Sequence, residues 1–364
     1  MISIDSIIRP GNTRAYLITN ADGKCWLLPA SGIGTALELY QPSGLKGKAL
    51  KRLFPLLHRV PQVRKVAGAT VIYTSLRQDI TEAAEKAFGK RITGFSIFGG
   101  TLSVHQKITL QLVAGSDILG YCKLTDSPDI AALFSHEQWL LQTLHEAGME
   151  DVPHCMKCGT LADGTHIFIQ STTKTRQSYS PHRFMPVHEQ FLQNMARRTG
   201  RTMRFEESDL GKSLTWLRCN INSVPAACRD TISRNIDRSI AALSGKETTY
   251  SAFHADFTPW NMFIERDRLF VFDWEYARMS YPPMLDRYHF HVQQSLHVVH
   301  HHPRQIMDDM KRQAWFSHDE FSLYLLDIIS RYLCREKGQP LSESLTAMLT
   351  SWTELLDLNS CEPV

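Results

Sequence analysis

The 364-residue chain has no run approaching the roughly 18 apolar residues that a membrane-spanning helix needs, so no transmembrane segment is expected. It opens Met-Ile-Ser-Ile-Asp, without the basic start and apolar core of a secretory signal. Excess charge of one sign is missing too: a formal net charge of +3 gives composition no reason to call for nucleic acid. Cysteine is sparse and scattered, at 25, 122, 155, 158, 219, 228, 334 and 361. Only Cys155 and Cys158 have metal-ligand spacing, and no second Cys-x-x-Cys exists to complete a structural zinc site. These absences predict a cytoplasmic protein with reduced thiols. There is no internal repeat. The length exceeds one ordinary domain, and 43% hydrophobic with 21% charged residues is globular composition.

One absence is local. From Leu39 to Gln78 there is no Asp or Glu, yet Lys46, Lys48, Lys51, Arg52, Arg59, Arg64, Lys65 and Arg77 all fall there. Leu45, Ala49, Leu53, Leu56, Leu57 and Val60 recur at helical spacing, with Pro55 expected to kink or divide the helix. A basic amphipathic segment over 45–65 can touch an anionic membrane or hold a phosphorylated substrate; the alternative is a solvated basic face packed on the rest of the chain. Earlier, Ala15–Thr19 and Lys24–Leu28 flank an Asp22-Gly23 turn and predict a hairpin. Residues 1–91 are otherwise read as an amino-terminal α/β extension of unknown role.

From Ile92 the pattern becomes one of short strands. Gly94–Thr101 predicts a strand and a glycine turn, Lys107–Val113 alternates with period two, and Leu119–Leu124 carries Lys123. Ile130–Ala147 predicts a helix with Leu133, Leu140, Leu141 and Leu144 on one stripe, and Glu137 on that same stripe. A buried carboxylate costs several kcal/mol unless a cation meets it, which points to Lys123 on the preceding strand. His166–Gln170 completes another hairpin, and 171–180 is a polar connector. Helices are expected at about 186–198, 205–218, 228–243, 284–300, 318–336 and 342–357. The run His300-His301-His302-Pro303 reads as a helix end and not as a metal cluster.

The most informative stretch is Ser251–Glu275. It holds His254, Asp256 and Asn261 in a polar loop, a tight turn at Glu265–Arg268, then a buried strand that delivers Asp273 and Glu275. An Asp and an Asn five apart, followed by an acid past an apolar strand, is the layout of kinase phosphoryl transfer. The stretch resembles the aminoglycoside phosphotransferase and choline kinase group; Asp273-Trp-Glu275 is closest to the choline kinase form, and Pro282-Pro283, Asp286 and His289-Phe290 are similar to the segment that follows.

The resemblance implies a bilobal α+β protein kinase-like fold, with a small antiparallel-sheet lobe at 92–172 and a mainly helical large lobe at 173–364. It implies ATP and Mg²⁺ as cofactors and a small-molecule hydroxyl as acceptor. Asp256 would be the catalytic acid–base group, and Asn261, Asp273 and Glu275 the metal ligands. Lys123 paired with Glu137 would hold the phosphates, and Gln170 and Ser171 would form the adenine hinge. Gly99 and Gly100 are either a phosphate-approaching turn or an ordinary hairpin turn, since the full glycine fingerprint is absent. His254 would brace the loop, and Trp260 would wall the acceptor pocket or enter the core. The acid-poor segment after Asp286 argues against a polycationic aminoglycoside, and the basic amino-terminal region points to an anionic, lipid-linked or already phosphorylated acceptor; a sugar or sugar-containing precursor is the preferred expectation. Two other readings fit part of the pattern: a kinase-like binding module without activity, and a manganese-dependent nucleotide-sugar glycosyltransferase.

Overall fold

The computed structural model describes residues 2–20, 23–40, 45–100, 106–336 and 338–360. Asp22 of the expected turn, Thr101 after the glycine pair and Cys361 lie outside them. The chain divides into two compact units, Met1–Pro181 with Met262–Glu275, and His182–Asn261 with Tyr276–Val364.

The first unit is built on eight antiparallel strands: β1 Ile8–Thr19, β2 Cys25–Pro29, β3 Ala69–Leu76, β4 Gly94–Phe98, β5 Ile108–Ala114, β6 Asp117–Thr125, β7 Cys155–Thr160 and β8 His166–Ser171, in the order β3-β1-β2-β4-β5-β6-β8-β7. Side chains alternate between its faces, as the pleat requires. Ala15, Leu27, Ile97, Leu110, Leu112, Leu124 and Ile169 share one core with Ile80 and Ala84 of helix Gln78–Phe88. Tyr16, Ile18, Trp26 and Leu28 face a second core with Phe54.

Two expectations change here. Residue 91 is not a boundary between units, because β2 pairs directly with β4, Trp26 opposite Phe98 and Leu27 opposite Ile97. The supposed extension is three strands of the same sheet, and 173–181 and Met262–Glu275 also stay with it. Nor does Pro55 divide its helix, which runs unbroken over Leu45–Leu57 before a short helix at Pro61–Val66. Proline there removes one hydrogen bond near the helix end. The buried face is also not the leucine stripe. Phe54 packs edge-on against Tyr16 at 5.4 Å, and His58 Nδ1 meets the Tyr16 hydroxyl at 2.8 Å. That turns Leu53, Leu56, Leu57 and Val60 outward.

Strands Met262–Glu265 and Arg268–Val271 form the expected hairpin, turning through Arg266 and Asp267, both at positive φ as a tight two-residue turn demands. It is tied into the first unit by the Tyr179–Ile264 bridge, by Val271 N–H donating to the Asp151 carbonyl at 3.1 Å, and by the Arg268–Asp151 ion pair at 2.7 Å.

The second unit is mainly helical: Pro186–Thr199, Asp209–Cys219, Arg229–Leu243, Asp286–Gln294, Pro303–Lys311, His318–Glu336 and Glu343–Ser360. They close on a core that includes Leu214, Ile232, Tyr288, Tyr324, Ile328 and Trp352. A small sheet of Arg201–Arg204, Glu247–Phe253 and Arg278–Tyr281 carries the approach to the 254–261 loop. The helix from Asp286 continues as a π-helical turn, Ser295–Val299, and stops at His300 in the left-handed conformation. His302 then begins the next helix, its N–H donating to Gln305 at 3.0 Å. No described helix is long and apolar enough to cross a membrane.

Candidate functional site

In the first unit, five charged side chains converge. Glu137, on helix Pro128–Glu146, is fully buried, as its place on an apolar stripe predicted. Lys123 Nζ, from β6, donates to both of its oxygens, at 3.0 and 2.7 Å, and to Asp273 Oδ1 at 2.7 Å. The Trp274 N–H donates to Glu137 Oε1 at 3.1 Å, so the strand end bearing Asp273 and Glu275 is fastened to that helix. The fifth member, which the sequence did not suggest, is Lys107 at the foot of β5. Its ammonium bridges Asp273, at 3.3 Å, and Glu275.

Burial lowers both lysines, yet the surrounding carboxylates outweigh it and hold both ammoniums above the ordinary lysine range. Burial likewise pushes the Asp273 carboxyl up, but Lys107 and Lys123 together hold it far below the usual carboxylate range. Asp273 also sits at φ 69°, in the left-handed region, a conformation that costs a non-glycine residue about 1 kcal/mol or more and tends to persist at functional positions.

Glu137, Asp273 and Glu275 offer carboxylate oxygens that all lie within 4.8 Å of one another, the one such group among the described residues. Three carboxylates against two ammoniums leave the cluster net negative, and hard oxygens are the donors magnesium prefers. Residues and charge therefore fit a divalent cation. Both Glu137 oxygens accept from Lys123, whereas the lysines take only Oδ1 of Asp273 and Oε2 of Glu275, so these two acids each keep a second oxygen for a cation.

The 254–261 loop lies in the second unit. Asn261 Nδ2 donates to Asp256 Oδ2 at 2.7 Å and to the Asp256 carbonyl at 3.0 Å, so the expected pair is brought together. The Asn261 NH₂ is spent there, leaving only its carbonyl with the chemistry to meet a cation. His289 Nε2 meets Asp256 Oδ1 at 3.2 Å. Burial raises the Asp256 carboxyl, but the hydrogen bond and charge of His289, with His254 and Arg335, more than offset it and keep Asp256 ionised. His254 is buried, its Nδ1 accepting from the Asp256 N–H at 3.2 Å.

The loop turns through Ala255 at φ 68°, and its neighbours over-determine that turn. Asp286 accepts from the His254 N–H at 2.8 Å and the Ala255 N–H at 3.1 Å, while Arg331 donates to the Ala255 carbonyl at 2.7 Å. Arg331 is in turn held by Asp327 at 2.7 Å, which also accepts from the Tyr281 hydroxyl at 2.6 Å. Asp327 and Arg331 stand one helical turn apart on an apolar helix, the same buried-charge signal in the sequence that marks Glu137.

The remaining candidates divide. The Gly99 N–H is already given to the Cys25 carbonyl at 2.8 Å, so Gly99 cannot present it to a phosphate. Gly100 needs to be glycine: its φ is 79°, and a Cβ there would lie 2.4 Å from the Lys107 carbonyl oxygen. Gln170 is buried within β8, opposite Tyr121. Ser171 ends that strand, with its N–H donated to the His154 carbonyl and its Oγ accepting from the His154 N–H, both at 2.9 Å. Ser171 therefore has no N–H left for an adenine. Trp260 is 37% exposed and touches His297 edge-on, so it does not enter the core.

No family profile matches the sequence, and no curated protein matches it. Solved structures do. A thermostable mutant of aminoglycoside phosphotransferase APH(4)-Ia in complex with ADP and hygromycin B aligns over 79% of this chain and 100% of its own, at 10% identity and a TM-score of 0.51. A further variant of that enzyme, with AMP-PNP and hygromycin B, aligns over the same shares at 11% identity and a TM-score of 0.51. The fold is thus the bilobal α+β protein kinase-like fold of the aminoglycoside phosphotransferases, as the Ser251–Glu275 stretch implied.

Proposed function

We propose that the protein is an ATP- and Mg²⁺-dependent phosphotransferase that moves the γ-phosphoryl group to a hydroxyl of a small molecule. The observation that carries this reading is the buried Lys123–Glu137 pair locked onto the same cluster as Asp273 and Glu275. A lysine so placed suits polyphosphate, and two carboxylates beside it suit its divalent counter-ion. The structural neighbours support the reading, since they are phosphotransferases crystallised with ADP or AMP-PNP. Asp273 and Glu275 would hold Mg²⁺, which would neutralise charge on the phosphates.

The chain's own groups do the rest. Lys123 holds the α- and β-phosphates, kept in position by Glu137. Asp256, oriented by Asn261 and His289, accepts a hydrogen bond from the acceptor hydroxyl and takes its proton as the new O–P bond forms and ADP departs. A carboxylate held ionised is a weak base but a good orienting acceptor, which is what a loose phosphoryl transition state needs. For the acceptor we favour a sugar or sugar-containing alcohol. The one acid of the Asp286–Gln294 helix is spent on loop amides, leaving it nothing to attract a polycation. Seven described cysteines are unpaired, which supports a cytoplasmic location.

The test is acceptor-dependent ADP release across a panel of sugars, amino sugars and lipid-linked alcohols, read beside thermal shift. ATP with Mg²⁺ should raise the melting temperature, and Asp273→Asn should abolish that rise. Asp256→Asn should keep the rise and lose turnover by at least about a hundredfold. Stabilisation by a nucleotide-sugar with Mn²⁺ alone would overturn the reading, and ATP binding without turnover on any acceptor would make the protein a binding module.

A further inference from the structure

Helix Leu45–Leu57, with the turn and short helix Pro61–Val66 that follow, presents apolar side chains to solvent. Leu53 is 50% exposed, Leu56 79%, Leu57 39%, Val60 40% and Val66 91%. Leu53, Leu56 and Leu57 have the i, i+3, i+4 spacing of one helical stripe, and Val60 follows in extended conformation at the start of the next helix. Core packing does not use that stripe, because Phe54 and His58 take the inward face against Tyr16. Exposed beside it are Lys48, Arg52, Arg59 and Lys65. No carboxylate occurs from residue 39 to 78, and the neighbouring Glu38 is engaged by Lys51 and Lys174. A cavity next to the patch is lined by Arg14, Arg59 and His58 with Asn12, Thr13 and Ser31, a set suited to phosphate oxygens. Burial lowers the His58 imidazole, and Arg59, Arg14 and Arg64 lower it further, so the field there is positive.

We infer that this face of the first unit docks on an anionic phospholipid surface, with the leucine and valine side chains entering the interface and the cations meeting headgroup phosphates. Charge selects this occupant. A second copy would bring basic residues against basic residues, and a neutral apolar partner would leave the cations unanswered. The inference is independent of the catalytic reading and requires no nucleotide.

The full chain should co-sediment with vesicles of phosphatidylglycerol and phosphatidylcholine, not with phosphatidylcholine alone. Retention should fall as salt rises. Arg52→Glu with Lys65→Glu, and separately Leu56→Asn with Val66→Asn, should each weaken retention at least about fivefold while leaving the melting temperature unchanged. Absence of retention on anionic vesicles, or retention that both pairs of substitutions leave intact, would overturn the inference. So would a concentration-dependent dimer that Leu56→Asn dissolves, or retention competed away by free inorganic phosphate at physiological salt.

Discussion

Lys123 answers two carboxylates at once, so its removal leaves Glu137 buried with the Trp274 N–H and the more distant charge of Lys107 to face it. Lys123→Met should therefore cost about 3–5 kcal/mol in urea unfolding. The double substitution with Glu137→Leu should recover much of that loss while leaving ATP binding absent, which separates the pair's structural role from its proposed chemical one. Lys107 makes a different prediction, because its ammonium already occupies the Asp273–Glu275 pair. Lys107→Met should tighten binding of Mg²⁺ alone by about tenfold, roughly 1.4 kcal/mol of relieved competition, and weaken binding of ATP with Mg²⁺. Titration calorimetry on each ligand checks both signs.

At the scale of elements, the helices of the second unit carry a pH dependence. His188 packs among Phe184, Phe257 and Phe290, and His291 lies against Phe184 and Trp315. Neither Nε2 has a hydrogen-bond partner, and burial pushes each imidazole down to about 4. In the unfolded chain both would take a proton near pH 6.5. The stability they contribute is complete above that pH and is lost as pH falls toward about 4, by up to about 3 kcal/mol for His188 and less for the partly exposed His291. Melting curves at pH 7.5 and pH 5 should show the drop, and His291→Phe should make it shallower.

Elements also explain what the sequence revealed and what it hid. Glu137 was legible because an acid on a leucine stripe demands a cation. Lys107 was not, because β5 and β6 contain a register shift beyond their turn: Ala114 pairs with Asp117 and Val113 with Ile118, but Leu112 pairs with Gly120. Without that bulge Lys123 would sit opposite Ile108, and Lys107 would point to the other face. With it, Thr109 faces Lys123, and Lys107, two residues earlier, shares their side of the sheet. The leucine stripe at 53–60 was visible, but its direction was decided by Tyr16, about 40 residues away, through contacts that spacing does not encode.

For the whole molecule, the shared sheet means the first 91 residues cannot be treated as an appendage. Their removal would bare the β4 edge and expose Ile97, Leu110 and Ile169 on a core stripped of Ala15, Leu27 and Ile80. A chain beginning at Ile92 should show no cooperative melt and should aggregate. The chain also leaves the first unit after Pro181 and re-enters it only for Met262–Glu275. During synthesis, then, Lys107 and Lys123 emerge from the ribosome some 150 residues ahead of Asp273. Until the hairpin arrives, two ammoniums share a single acid, Glu137, in a half-assembled sheet. The second unit's first 80 residues are made in that interval, so neither unit can be finished before the other has begun, and no single cut of the chain separates the two.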